Sequence, residues 1–103
     1  MNLDDRTERL TKFIKKTELI AKHYGKERQL VKTMEELAEL IQAIAKYCLK
    51  PTEENKAAII EEIADVNIMM IQLDILLQFN DKLIADTIDA KIDRQLKRIE
   101  EGQ

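Results

Sequence analysis

Tryptophan is absent from these 103 residues, glycine occurs twice, and proline and cysteine occur once each. So few turn-formers, beside plentiful Ala, Leu, Ile, Lys and Glu, indicate an all-α chain. The lone Cys48 excludes an internal disulfide; its place on an apolar helix face reads as a small buried hydrophobe. A basic stripe is also missing. The formal net charge is −3 with acids and bases interspersed, which argues against a general nucleic-acid binder. No uninterrupted apolar run exceeds the four residues of Ile68–Ile71, far short of a membrane span. No charged-then-apolar leader opens the chain, so a cytoplasmic protein is expected. The length allows one domain, residues 1–103, with a modest core if it stands alone.

Four helices are expected. Asp5-Arg-Thr-Glu8 fits a capping box, so the first helix should start near residue 5. Its stripe is Leu10, Phe13, Ile14, Thr17, Ile20, Ala21 and Tyr24, with Gly25 as its stop and His23 as a capping or surface residue. The second, about 27 to 49, carries Leu30, Met34, Leu37, Ile41, Ile44 and Cys48 as one apolar stripe, with Gln29, Lys32, Glu36 and Glu39 on a polar stripe beside it. The third, about 53 to 78, is amphipathic up to Glu62 and apolar nearly all round beyond Asp65. A helix apolar on every side must be covered on every side, so that segment is expected at a subunit interface. Asn80-Asp81 caps a fourth helix, about 82 to 100, with the stripe Ile84, Ile88, Ile92, Leu96 and Ile99. A turn near residue 80 would bring Arg94 level with Val66 and Lys91 level with Met69.

The stretch Lys32–Asp65 carries the chemistry. Glu36-Leu-Ala-Glu39 and Glu62-Ile-Ala-Asp65 each set two acids three apart, on one face of a helix. Between them lies Lys50-Pro51-Thr52, holding the single proline; it ends one helix, and Thr52 caps the next. In an antiparallel hairpin, residues equidistant from the turn lie at one height. About a turn centred between 50 and 51, Glu39 faces Glu62, Glu36 faces Asp65, and Gln29 faces Gln72. Four carboxylates so gathered repel and resist ionising unless a cation neutralises them. Hard oxygen ligands of this kind suit Mg2+ or Mn2+.

Charged residues make up 36% of the chain, so one E-x-x-E alone says little; most such glutamates are solvated helix faces. The set stands apart because its pairs share one height, border apolar stripes and have few i+4 bases nearby. Lys32 is positioned to pair with Glu36 in the ordinary way.

Glu36-x-x-Glu39 followed by Glu62-x-x-Asp65 resembles the signature of the MazG-like nucleotide pyrophosphohydrolases, of the all-α NTP pyrophosphatase superfamily. Gln29-Leu-Val-Lys32-x-x-Glu35-Glu36-x-x-Glu39-Leu-x-x-Ala43-Ile44 is similar to the first motif of that family, and Glu61-Glu62-Ile63-Ala64-Asp65-Val66 to the second. Lys91-x-x-Arg94 stands where the family often has a basic pair, and the resemblance spans roughly residues 25 to 98.

The resemblance implies a four-helix bundle completed by oligomerisation, as a homodimer or homotetramer. It implies hydrolysis of a nucleoside triphosphate between the α- and β-phosphates, giving monophosphate and pyrophosphate. By position, Glu36, Glu39, Glu62 and Asp65 would hold Mg2+ (with Mn2+ as a substitute), and Glu36 counts among the catalytic residues. Glu35 would be a candidate general base. Lys91, Arg94 and Lys32 would contact phosphates, Gln29 or Gln72 would approach the nucleotide, and the base would lie near Phe13 or Tyr24. The competing expectation is a non-catalytic helical dimer, an interaction module or nucleotide sensor, which the apolar third helix fits equally well.

Overall fold

A computed structural model describes residues 2–102 and is all-helical, with no strand among the described residues. Its elements are α1 (Leu3–Tyr24), α2 (Lys26–Leu49), α3 (Glu53–Leu77) and α4 (Asp81–Glu100). Local chemistry sets each boundary. Asn2, rather than Asp5, caps α1, its side-chain oxygen accepting from the Asp5 N–H at 2.9 Å. The helix thereby gains its first turn, in which Asp4 and Asp5 oppose the positive end of the dipole. Gly25 separates α1 from α2 with φ at 86°, a conformation open to glycine without strain. Lys50, extended before Pro51, ends α2, and its carbonyl accepts from Asn55 Nδ2 at 2.8 Å. Thr52 Oγ1 accepts from the Asn55 N–H at 3.1 Å, and Asn80 Oδ1 from the Leu83 N–H at 3.0 Å, so both expected caps are present. The elbow before α4 passes through Gln78 at φ 53°, a left-handed non-glycine residue.

α2 and α3 form the main antiparallel pair, and α1 lies against both. The seam among them is polar. Its buried residues are Thr17 and Ala21 from α1, Gln29, Thr33, Glu36 and Ala43 from α2, and Met69 and Gln72 from α3. Thr33 and Ala43 place small side chains in this buried seam, and Thr33 satisfies its hydroxyl by donating to the Gln29 carbonyl at 2.7 Å.

This inverts the expected orientation of α2. Gln29 and Glu36 of its polar stripe turn inward, Lys32 and Glu39 stay exposed at its edge, and Met34, Leu37, Ile41 and Ile44 stand between 39% and 68% exposed. Cys48 is likewise exposed, not buried as expected. Because α3 is apolar nearly all round, it imposes no preferred face on α2, and the small and hydrogen-bonded residues take the seam.

α4 departs further from expectation. It packs against none of the other helices, so Arg94 and Lys91 do not come level with Val66 and Met69 within the chain. α1 and α2 already flank α3, and the α4 stripe from Ile84 to Ile99 is left between 42% and 70% exposed. One chain therefore packs three helices and projects a fourth, rather than closing a four-helix bundle. The accessible surface is 8601 Å2, against about 6,000 Å2 for a compact monomer of this mass. The radius of gyration is 16.8 Å, against about 13 Å for a compact domain of this length.

Candidate metal centre

Gln29 Nε2 donates to Gln72 Oε1 at 2.6 Å, with both residues buried, which fixes the α2–α3 register at the expected pairing. Two helical turns nearer the loop, the same register gathers the acids. Glu36, Glu39, Glu62 and Asp65 each offer a carboxylate oxygen, and these four atoms lie within 4.8 Å of one another. Glu36 is buried at 7% exposure, Glu62 is half-buried, and Glu39 and Asp65 face solvent. The group is a pit with a closed floor and an open mouth.

Its electrostatics are incomplete. Lys32 Nζ sits 3.0 Å from Glu36 Oε1 and 3.9 Å from Glu35. Four carboxylates against this one ammonium leave a local formal charge of −3. Glu36 Oε2 and Glu62 Oε2 are buried without a hydrogen-bond partner. Burial normally demands a partner for such an atom, and a carboxylate oxygen lacking one costs about 1–3 kcal/mol. The Glu39 carboxyl is held above its ordinary range, first by the neighbouring charge of Glu36 and then by desolvation and Glu62, with Lys32 opposing. Lys32 is raised, chiefly by its hydrogen bond to Glu36. A divalent cation would answer all of these features. The donor set is oxygen only, without His or Cys, and so fits Mg2+ or Mn2+ rather than a thiophilic or imidazole-seeking metal.

The other candidate residues separate into two places. Glu35 stands beside the pit with its side chain 59% exposed and lines, with Lys32, Gln29 and Gln72, a cleft of about 680 Å3 between α1, α2 and α3. Tyr24 is in the wall of that cleft, whereas Phe13 lies in other hollows along α1. Lys91 and Arg94 line a shallow depression made by α4 alone, with Asp86, Thr87 and Ala90. The chain by itself does not bring them to the acids.

Two contacts of the cleft have no periodic signature in the sequence. Arg28 lies 4.9 Å from the centroid of the Tyr24 ring, a cation–π contact across the α1–α2 turn whose only trace in sequence is the four-residue spacing around Gly25. Met69 is buried at the cleft floor, where one amide hydrogen of Gln72 points to its sulfur at 3.8 Å. His23, beside Tyr24 at a ring separation of 4.7 Å, contributes to neither place. No helix among the described residues is long and apolar enough to cross a membrane. Compared with models of known families, with curated proteins and with solved structures, the chain matches none.

Proposed function

We propose that this chain is a MazG-like pyrophosphohydrolase that cleaves nucleoside triphosphates between the α- and β-phosphates in nucleotide-pool housecleaning. The observation that carries the reading is the pit itself: four carboxylates converge within 4.8 Å, and two of their buried oxygens have no partner. A solvated acidic face would leave no such oxygens. Glu36, Glu39, Glu62 and Asp65 are the residues that would hold Mg2+. When bound, the ion supplies charge neutralisation for the phosphates and lowers the pKa of a coordinated water.

The chain's own groups supply the rest. Glu36 anchors the floor, its orientation fixed by Lys32 at 3.0 Å. Glu35, at the boundary of pit and cleft, is the candidate to accept a proton from the attacking water. Lys32 lines the same boundary and can turn from Glu36 toward a phosphate oxygen. Lys91 and Arg94 are offered from α4 and reach a phosphate chain through assembly, in a homodimer or homotetramer. The accessible surface supports such an assembly, since 8601 Å2 exceeds the compact-monomer value by roughly 2,600 Å2, about three times what one partner buries in a standard interface.

Pyrophosphate release from a panel of canonical, deoxy and modified triphosphates tests the reading. Release should require Mg2+ and vanish in Glu36→Gln and Asp65→Asn while helicity persists. The exposed apolar faces also favour a second reading, a non-catalytic helical dimer acting as an interaction module. That reading gains if no triphosphate is consumed and the same substitutions only raise thermal stability.

A further inference from the structure

We infer that the elbow between α3 and α4 is a proton-operated hinge, in which one proton shared between the carboxyl groups of Asp74 and Asp81 holds α4 at the angle seen here, and its loss lets α4 swing. The hinge is independent of the hydrolase reading and stands on the elbow's own geometry.

α4 packs against no other helix, so its direction is set where it joins α3. The join is short, with Gln78, Phe79 and Asn80 between the two helices. The Gln78 and Phe79 N–H groups both donate to the Asp74 carbonyl, the second at 3.4 Å, which winds the chain back over Asp74. Asn80 then caps α4 and delivers Asp81 as its first residue. Gln78 carries the bend at φ 53°, a left-handed conformation that a side chain disfavours and that persists when its surroundings hold it. The side chains that meet across the bend are those of Asp74 and Asp81, joined by a hydrogen bond.

Two carboxyl groups share such a bond when one of them carries a proton. The helix ends decide which. Asp74 is half-buried in the last turn of α3, which holds no base, and there the negative end of the dipole opposes an anion. Asp81 lies in the first turn of α4, where the positive end favours one. The Asp74 O–H therefore donates to the Asp81 carboxylate. That bond, then desolvation and the Asp81 charge, hold Asp74 above the ordinary carboxylate range. No base competes for it. The register that pairs Gln29 with Gln72 puts another acid, Glu27 of α2, level with Asp74. The last turn of α1 brings Lys22, paired with Glu18 at 2.6 Å, and His23, set edge-on to Tyr24. Neither bonds to Asp74, and Lys82, beside Asp81, is held by Asp86 at 3.0 Å.

The closed elbow binds a proton that the open one gives up. Closure is thus favoured as pH falls, and is lost as pH rises through the raised value of Asp74. Once both are ionised the carboxylates repel, and Gln78 is free to leave its left-handed conformation. What moves is α4, with its stripe from Ile84 to Ile99 and with Lys91 and Arg94, so acidity governs where the chain presents them.

Two spin labels read the hinge in the full chain, one on the exposed Cys48 of α2 and one on Lys97→Cys, on the polar side of α4. Labelled chains are diluted into an excess of unlabelled ones, so that each distance belongs to a single chain. Pulsed electron resonance from about pH 8 to about pH 4 should show a broad distribution narrowing on acidification, with a midpoint above 3.8, the ordinary aspartate value. Asp74→Asn supplies a donor that needs no proton, and should give the narrow distribution at every pH. Asp81→Asn donates from the other side and should likewise abolish the response, whereas Asp74→Ala should stay broad throughout. A wild-type distribution unmoved by pH overturns the inference. So does a change that survives Asp74→Asn, which would belong to the acid pit. Failure of the hydrolase reading would leave all of these distances as they are.

Discussion

Replacing Glu36 by Gln should stabilise the metal-free protein and destabilise the metal-loaded one. In wild type, Glu36 Oε2 is buried without a partner among three other carboxylates. Relieving such an atom is worth about 1–3 kcal/mol. The opposing loss is the Lys32–Glu36 ion pair, an i,i+4 contact at 3.0 Å whose lysine is half-exposed, and pairs of this kind are weakened by solvent and salt. The amide can also donate to a neighbouring carboxylate where the charge only repelled. A net gain of about 1 kcal/mol corresponds to a rise of about 4–8 °C in Tm for a chain of this size. Excess Mg2+ should reverse the order, since a ligand at a hundred times its Kd adds about 2.7 kcal/mol to the form that binds it. The assay is thermal unfolding followed by circular dichroism, with EDTA and with Mg2+, at one fixed protein concentration because assembly also shifts Tm. A variant that melts below wild type in EDTA, or a wild type indifferent to Mg2+, would refute the account of the pit.

Acidity should act in the same direction as that substitution. Glu39 and Asp74 both have folded-state pKa values above their ordinary ones, Glu39 chiefly through the charge of Glu36 and Asp74 through its hydrogen bond with Asp81. The folded state therefore holds more protons than the unfolded one, and metal-free stability should rise as pH falls from neutrality toward the ordinary values of 4.5 and 3.8. Urea midpoints across that range in EDTA measure it; a monotonic loss of stability on acidification would contradict it. Ile88→Glu with Ile92→Glu places charge in an α4 stripe that is half-exposed in one chain, so it should leave helicity intact while reducing the assembled mass in light scattering. Gln72→Met alone strands the Gln29 amide and should cost about 1–3 kcal/mol, whereas Gln72→Met with Gln29→Met should recover most of that loss in a double-mutant cycle by urea unfolding.

Much of this fold was legible in the sequence because few residues control it. One proline and one threonine set the α2–α3 turn, and helical geometry then carries the register from residue 51 to the Gln29–Gln72 bond. The gathering of the four acids follows from the same constraint. The rotation of α2 was not legible. Hydrophobic periodicity says that Leu37, Ile41 and Ile44 seek cover, but not whether the cover comes from the same chain. The path of α4 escaped for the same reason, and so did the exposure of Cys48. At the start of α1, the Asp5-x-x-Glu8 box pointed one turn too late, and the cap went to Asn2, whose side chain accepts from the Asp5 N–H. The cleft beside the pit depends on how α1 crosses α2 and α3, a tertiary relation with no periodic signature.

The two anomalies of the structure call for different remedies, and this bears on how the protein works. Apolar side chains on α2 and α4 lie outside while a charged, hydrogen-bonding seam lies inside, the reverse of what a lone chain would select for stability. A cation answers the seam but does nothing for the outer faces. A second chain would cover the outer faces but leave Glu36 Oε2 and Glu62 Oε2 unpartnered unless it brought a positive group to them. α4 carries both an apolar stripe for the first need and Lys91 with Arg94 for the second, on a helix that packs nowhere in its own chain. Each remedy also aids the other. Clamping the outside of α2 and α3 holds the four carboxylates at a fixed spacing, which raises affinity for an ion by preorganisation, and an ion in the pit removes the repulsion that pushes the two helices apart. On the proposed reading, assembly and metal binding would be one linked equilibrium rather than two separate properties.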